Sequence, residues 1–386
     1  MRSIREFFAR RVSKARRKRL RQKHNYLWGA PGIRHQLYDC PLPQPMRTEV
    51  SKPVDPRLIS RVIENYHRLP DDEISSYPVW HYHEQLKAVL DARDAQTLSE
   101  LMGNMFRGTL VYSMGHHEEY YFGDYQWHHG YQQRRVTDLL LCLGEAIGVL
   151  PVPCHAQMKA DEYTKFVYSD QNSLFEQIQK KLGFALDMPL VGHPPVFEFA
   201  GTKSSADMIR HAYPAYRMRE ILGDTSAPIL EIGAGFGSVA LLAYRAGFRD
   251  ITLLDVPNTQ SIQTFFLGSA LGGNTVSGLG EEPAEIKILP PYKLRNVPDQ
   301  SIAMVFNMDS FPEFRRDIGL DYLHEIRRTS KYFLSINQEA QTNHMVFQAP
   351  QTRVADLIDE VGGFKRIYRA PYWLLEGYVE ELFEVV

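Results

Sequence analysis

The chain has 386 residues, of which 44% are hydrophobic and 23% charged, and 44 Lys or Arg stand against 46 Asp or Glu. This is the make-up of a soluble globular protein, long enough for two domains. It excludes a membrane-spanning helix, since no run of about 18 apolar residues occurs. No stretch has the basic, apolar, then small-residue order of a secretory signal. The three cysteines, Cys40, Cys142 and Cys154, form neither a CxxC pair nor a disulfide framework. A cytoplasmic, reducing setting is therefore expected.

Charge is unevenly spread. Residues 1–24 carry 11 Lys or Arg and the single acid Glu6, so the rest of the chain is acidic. Ile4, Phe7, Phe8, Val12 and Ala15 recur at spacings of three and four, which predicts a basic amphipathic arm. Such an arm is either solvated or held peripherally on an anionic membrane surface, where each basic residue contributes about 1 kcal/mol. A transit peptide shares the same composition. Residues 25–55, rich in Pro, Gly and aromatics, read as a linker.

Residues 56–200 read as a mainly helical N-terminal domain for acceptor binding or oligomerisation. Helices are expected over Pro56–Tyr66, Val136–Leu150 and Leu174–Leu182. Thr97-Leu98-Ser99-Glu100 reads as a capping box, with Leu101, Met105 and Leu98 as the apolar stripe behind it. Within this half, residues 115–129 concentrate His116, His117, His128 and His129 among acids and aromatics. That cluster is a structural loop, an acceptor-binding flap or a divalent-metal site. Adjacent histidines point in different directions, which disfavours the metal.

Residues 201–386 change character. Short apolar strands at 228–232, 251–254, 286–289, 303–306 and 332–336 alternate with helices at 239–246, 259–271 and 320–329. This alternation predicts an α/β fold whose parallel sheet is covered on both faces.

The informative stretch is Glu231-Ile232-Gly233-Ala234-Gly235-Phe236-Gly237, which leaves a strand and enters a helix. Glycines suit a turn that needs positive φ and a close ligand. A dinucleotide turn would want glycine at position 238, where Ser238 stands. A pyrophosphate would gain nothing from Glu231, whereas a cationic ligand would. Asp255, followed by Val256, ends the next strand and is placed to accept both ribose hydroxyls. Glu231, Gly233, Ala234, Gly235, Gly237, Asp255, Val256 and Asn307 are thus the expected binding residues for S-adenosylmethionine. A nicotinamide cofactor is the rival. The competing roles are an ion pair for Glu231 and a helix cap for Asp255.

These residues resemble the sugar O-methyltransferase family of bacteria. The resemblance lies in Ile229–Gly237, Asp255-Val256-Pro257, Asn307-x-x-Ser310-Phe311-x-Glu313-Phe314 and Ser335-Ile336-Asn337. Arg210-His211-Ala212-Tyr213, with Tyr216 and Arg217, resembles the segment before the glycine motif in that family. It implies a Rossmann-like seven-stranded class I methyltransferase domain and a sugar, nucleotide-sugar or glycan acceptor. A hydroxyl acceptor needs a general base or a metal. Glu313 is the expected base, with Asp309, His324 and His344 as alternatives and a helix N-terminal acid as the bland role for Glu313. Two other classes compete: an RNA methyltransferase, suggested by the basic arm, and a non-catalytic S-adenosylmethionine-binding module. The acidic body disfavours nucleic acid.

Overall fold

The computed structural model describes residues 33–35, 37, 42–75, 83–111, 114, 118–122, 130–154, 159, 162, 170–339, 345–346 and 349–386. The arm of residues 1–24, the four histidines of the 115–129 cluster, Cys40 and His344 lie outside these.

The helical half begins with α1 (Pro56–His67), whose N-cap Asp55 accepts from the Arg57 N–H and whose first residue is proline. Pro fits there because its missing N–H would be unpaired anyway. Then come α2 (Glu84–Asp91), α3 (Ala95–Gly103), α4 (Tyr131–Ala146) and α5 (Gln171–Leu182). Two expectations need correction. The cap of α3 is Asp94, which accepts from the Thr97 N–H, and Thr97 Oγ1 donates to the same carboxylate, so the helix starts two residues before the expected capping box. The stripe it buries is Leu98 and Met102, while Leu101 is half-buried and Met105, though buried, lies past the helix end. Helix α4 starts at Tyr131 and ends at Ala146, five residues earlier at its start and four at its end than the apolar run suggested.

The only strands among the described residues before position 225 form a hairpin, Phe197–Phe199 with Thr202–Ser204. Helix α6 (Ala206–Leu222) follows, capped by the Ser205 hydroxyl, which accepts from the Met208 N–H, and closed by Gly223 in the left-handed region. The sheet is then laid down as β1 (Ile229–Ile232), α7 (Ser238–Arg245), β2 (Ile251–Leu254), α8 (Pro257–Leu271), β3 (Ile286–Leu289), β4 (Ile302–Met308), α9 (Arg316–Thr329), β5 (Ser330–Gln338), α10 (Val354–Val361), β6 (Phe364–Pro371) and β7 (Tyr378–Val385).

Strand order is β6-β7-β5-β4-β1-β2-β3, with a two-residue strand, Val276–Ser277, added at the β3 edge. Strands β1 to β5 pair in parallel, and β7 is antiparallel to both β5 and β6. Seven strands were expected, and the eighth is this short edge.

Successive side chains alternate between the two faces, so each strand feeds two cores. One contains Leu230, Val305, Phe333 and Phe383 with Leu323 and Ile326 of α9 and Leu357 of α10. The other contains Ile251, Leu253, Met304 and Phe306. It runs without a break into Leu58-flanking Ile59 and Val62 of α1, Leu98 and Met102 of α3, and Leu139 and Leu143 of α4. The helical half and the sheet therefore share one core. Phe106 joins them directly, meeting Phe236 of the glycine turn edge-on at 5.4 Å and Phe266 of α8 at 6.2 Å. Among the described residues no helix is long and apolar enough to cross a membrane.

Candidate active site

Register puts the carboxyl ends of the parallel strands in one row. Ile232 is level with Leu254 on one side and Asn307 on the other, and Leu254 with Leu289. Chain connection runs outward from β1 in both directions, so a crevice opens where the order reverses, between β1 and β4.

The glycine turn occupies that crevice. Gly233, Gly235 and Gly237 have φ of +71°, +56° and +96°. Each has a different reason to lack a side chain. A Cβ on Gly233 would stand 2.2 Å from Ser310 Oγ, and one on Gly237 would stand 2.9 Å from Leu267. At Gly235 a Cβ would meet only Met114, at 3.9 Å, so that glycine leaves open space in front of the turn. Gly233→Ala is accordingly expected to cost about 1–3 kcal/mol from strained φ alone, plus the clash. Urea unfolding at neutral pH checks this, and an unchanged midpoint would mean that Ser310 moves aside freely.

Glu231 is buried in the middle of the sheet, and burial, with Asp255 nearby, pushes its carboxyl up to about 8. It forms no ion pair among the described residues. Asp255 is pushed up to about 7 by burial, against the pull of its hydrogen bonds. Its Oδ1 accepts from the Val256 N–H at 2.9 Å and its Oδ2 from Gln263 Nε2 at 2.8 Å, and the Ala234 and Gly235 amides also point to it. Val256, not Asp255, is the N-cap residue of α8, and it caps with no side-chain hydrogen bond. The helix-cap reading of Asp255 is thus replaced by one in which the acid ties the second strand end to the glycine turn. Gln263 Nε2 also donates to the Gly235 carbonyl at 2.8 Å.

Asn307 sits at the end of β4 with no exposure. Its Nδ2 donates to the Ile232 carbonyl at 2.8 Å and to Ser310 Oγ at 2.7 Å, and its Oδ1 accepts from Asn337 Nδ2 at 2.9 Å and from the Phe311 N–H at 3.3 Å. The side chain is spent on holding the ends of β1, β4 and β5 together, so Asn307 shapes the crevice.

After β4 the backbone turns sharply: Asp309 has φ +70°, a region that costs a non-glycine residue about 1–3 kcal/mol. The turn aims its carboxylate at Arg210 of α6, 3.2 Å away, and Tyr378 at the start of β7 is near enough that Asp309, after burial, holds its phenol up. Arg210 is also 3.7 Å from Asp207. Tyr121, from the 115–129 cluster, feels both Asp207 and Arg210, and burial pushes its phenol up. Glu313, in the single 3-10 turn Phe311–Glu313, is pushed up to about 7, by burial first and Asp309 second.

Sequence reasoning did not find Arg210 and Tyr378 as neighbours of Asp309, or Tyr121 as a neighbour of Arg210, because they come from three distant segments. The one local sign was Arg210 within Arg210-His211-Ala212-Tyr213. His324 does not join the site. It lies on the exposed side of α9, whose Leu323 and Ile326 face the core. A spacing of 15 residues beyond Asp309 gives no information on which side of a helix a residue falls. Of the rest of the 115–129 cluster, Glu118 pairs with Arg47 and lies 3.9 Å from Arg107, and Phe122 lies under Arg47. The described residues put no group of three metal ligands at the strand ends; the one such group is His35, Asp138 and Cys142.

Fold and site together define a Rossmann-like α/β protein with the class I methyltransferase strand order, in which the last strand is inserted antiparallel. No protein-family model matches the sequence, and no curated protein matches it. Solved structures that overlap it include a Pyrococcus horikoshii protein described as a candidate RNA methyltransferase, with 17% identity, 46% of this chain and 83% of that one, at a TM-score of 0.33. The mitomycin 7-O-methyltransferase MmcR overlaps 65% of this chain and 94% of its own, with 12% identity and a TM-score of 0.34. The N-terminal domain of EvdMO1, solved in the presence of SAH and D-fucose, overlaps 50% and 90%, with 13% identity and a TM-score of 0.34. These likenesses are partial, and the fold class rests on strand order and register.

Proposed function

We propose that this protein is an S-adenosylmethionine-dependent O-methyltransferase acting on a hydroxyl of a sugar, nucleotide sugar or glycan. The observation that carries the cofactor is electrostatic. Two buried carboxylates, Glu231 and Asp255, stand at neighbouring strand ends with pKa values raised to about 8 and about 7. Neither forms an ion pair among the described residues. Such a site gains most from a cationic ligand that also offers hydroxyls. Two further features fit. Among the described residues, Gln263 Oε1 and both amide atoms of Asn258 are buried without a hydrogen-bond partner, and Gly235 leaves space before the turn.

Glu231, Gly233, Ala234, Gly235, Gly237, Asp255 and Val256 would hold S-adenosylmethionine, with Asn307 fixing the strand ends around it. Bound there, the cofactor supplies a methyl group activated on a sulfonium. The chain's own part is positioning, exclusion of water and one proton transfer. Glu313 takes the proton of the acceptor hydroxyl as its oxygen becomes the nucleophile. A base poised at about 7 is half-ionised at neutral pH, close to the optimum for general-base work. Arg210 stands 3.2 Å from Asp309, so a second charged carboxylate beside Glu313 is partly neutralised. Tyr121, Arg210, Asp309 and Tyr378 supply ring and polar groups on the side where the acceptor would enter. Hydroxylated rings are recognised by such a mixture of aromatic faces and charged hydrogen-bonding groups.

The test is a mass-spectrometric assay with S-adenosylmethionine and a panel of nucleotide sugars, free sugars and glycans. The reading predicts a mass gain of one methyl on a sugar hydroxyl. Methylation of RNA and of no sugar would overturn the acceptor. Binding of S-adenosylmethionine without turnover on any acceptor would leave a binding module. For residues 1–24 we propose peripheral attachment to an anionic surface. Deleting them is expected to reduce binding to phosphatidylserine-containing vesicles and leave cofactor affinity intact, and equal sedimentation with and without the arm would contradict the attachment.

A further inference from the structure

We propose that His35, Asp138 and Cys142 form a structural metal site of the zinc class, placed behind the active site as a staple between the linker segment and the helical layer. Helix α4 puts Asp138 and Cys142 one turn apart, on one face. Residues 33–35 cross that face. Asp138 Oδ1 accepts the N–H groups of Arg34 at 2.9 Å and His35 at 2.7 Å, which fixes where the imidazole stands.

His35 Nδ1 then lies 2.8 Å from Asp138 Oδ1 and 3.9 Å from Cys142 Sγ, and Sγ lies 3.8 Å from Asp138 Oδ2. All three side chains are buried, and one ligand atom of each lies within 4.8 Å of the others. Zinc bonds of about 2.3 Å to sulfur and about 2.0–2.1 Å to nitrogen at tetrahedral to trigonal angles separate two ligand atoms by about 3.5–3.8 Å. The sulfur distances here are close to that, whereas His35 Nδ1 and Asp138 Oδ1, at the hydrogen-bond distance of 2.8 Å, would separate to about 3.3 Å around an ion. A mixed sulfur, nitrogen and oxygen set suits zinc, and excludes magnesium and calcium as preferred occupants.

The far side of the ring gives the second argument. His35 Nε2 is 2.9 Å from Glu145 Oε1, and Glu145 Oε2 accepts the Trp373 indole N–H at 2.9 Å. A carboxylate on the outer nitrogen fixes the tautomer that turns a lone pair toward a metal, as the outer partners of metal-bound histidines commonly do. The same geometry has a metal-free form, in which two protons replace the ion: an imidazolium between Asp138 and Glu145, beside a neutral thiol. That form conserves the cluster's net charge but gives Cys142 no task, although its sulfur is aimed at both partners.

The staple reaches the active site. Arg34 donates to the Tyr372 carbonyl at 3.0 Å and lies over the Trp373 ring at 4.4 Å, and the Tyr372 hydroxyl donates to the Arg210 carbonyl at 3.2 Å. Arg210 is the partner of Asp309.

The experiment uses the full chain. Metal content is measured as purified, then after chelation and reloading with zinc or cobalt(II) and desalting. About one ion per chain is expected, with a near-ultraviolet thiolate-to-cobalt band that Cys142→Ser removes. Chelation should lower the melting temperature of the parent by several degrees and that of Cys142→Ser by much less. A parent chain that retains no metal, shows no cobalt band and melts alike with and without chelator overturns the site and leaves the imidazolium form. The parent measurements decide the matter even if Cys142→Ser does not fold.

Discussion

Glu313→Gln is expected to lower the rate of methyl transfer by about 10²–10⁴-fold, the usual contribution of a positioned general base. Affinity for S-adenosylmethionine should hardly change, because the carboxylate stands with Asp309 and not with Glu231 and Asp255. Gln keeps the shape and removes the basicity, so packing does not account for a loss. The pH profile adds a second readout. Burial raises Glu313 to about 7, and the ionised form is the base. The parent rate should therefore rise with pH through about 7 and then level, while the variant stays low and flat. Single-turnover transfer across pH, with the first acceptor that proves active, measures both. A rate within a few-fold of the parent would move the role to Asp309. A loss of cofactor binding would mean that Glu313 faces the cofactor.

Asp255→Ala is expected to weaken S-adenosylmethionine binding by about 1.5–3 kcal/mol, the size of a lost hydrogen bond to a charged group, or roughly 10–150-fold in Kd. Part of the loss comes from the turn itself, because Asp255 accepts from the Val256 N–H and from Gln263 Nε2, which also holds the Gly235 carbonyl. Asp255→Asn separates the two contributions: it keeps most of the shape and removes the charge. Calorimetry on both variants, with a thermal melt to confirm folding, makes the measurement. Undiminished affinity in a folded Asp255→Ala chain would leave Asp255 as a turn fastener only.

The raised carboxylates make a linked prediction about stability. Glu231, Asp255 and Glu313 all have folded values above the ordinary carboxylate range, at about 8, about 7 and about 7. A group whose folded pKa is raised stabilises the fold below its unfolded value and loses that contribution as pH rises through the folded one. The ligand-free protein should thus lose stability between about pH 4.5 and 8. A cationic ligand favours the ionised carboxylates, so its binding should release protons near neutral pH and flatten that slope.

What the sequence disclosed was local. The glycine turn, its two acids and the strands that carry them lie within about 25 residues, and each strand is a short apolar run whose meaning does not depend on distant partners. The acids at Asp309 and Glu313 were visible for the same reason, as polar residues crowded after a buried strand. The rest was hidden by distance or by competition. The Arg210–Asp309–Tyr378 group joins α6, the β4 turn and β7, and the His35 group joins residues more than 100 positions apart. Nothing in spacing shows such a meeting. At α3 a plausible Thr-x-x-Glu box lost to Asp94, because an aspartate one turn earlier caps the same helix and Thr97 is more useful as its partner. The β6–β7 hairpin was also missed: all eight residues of β6 are half-buried or exposed and the last is Pro371, so its apolar alternation is weak.

The central claim is that Glu231, the glycine turn and Asp255 bind S-adenosylmethionine. Isothermal titration of the full chain with S-adenosylmethionine at neutral pH, repeated in two buffers of different ionisation enthalpy, tests it most directly. The expected result is one-to-one binding with proton release, weakened in Asp255→Ala and lost in Gly235→Val, and no binding of a nicotinamide dinucleotide. Absence of S-adenosylmethionine binding by the folded chain, or binding of the dinucleotide at the same residues instead, would contradict it.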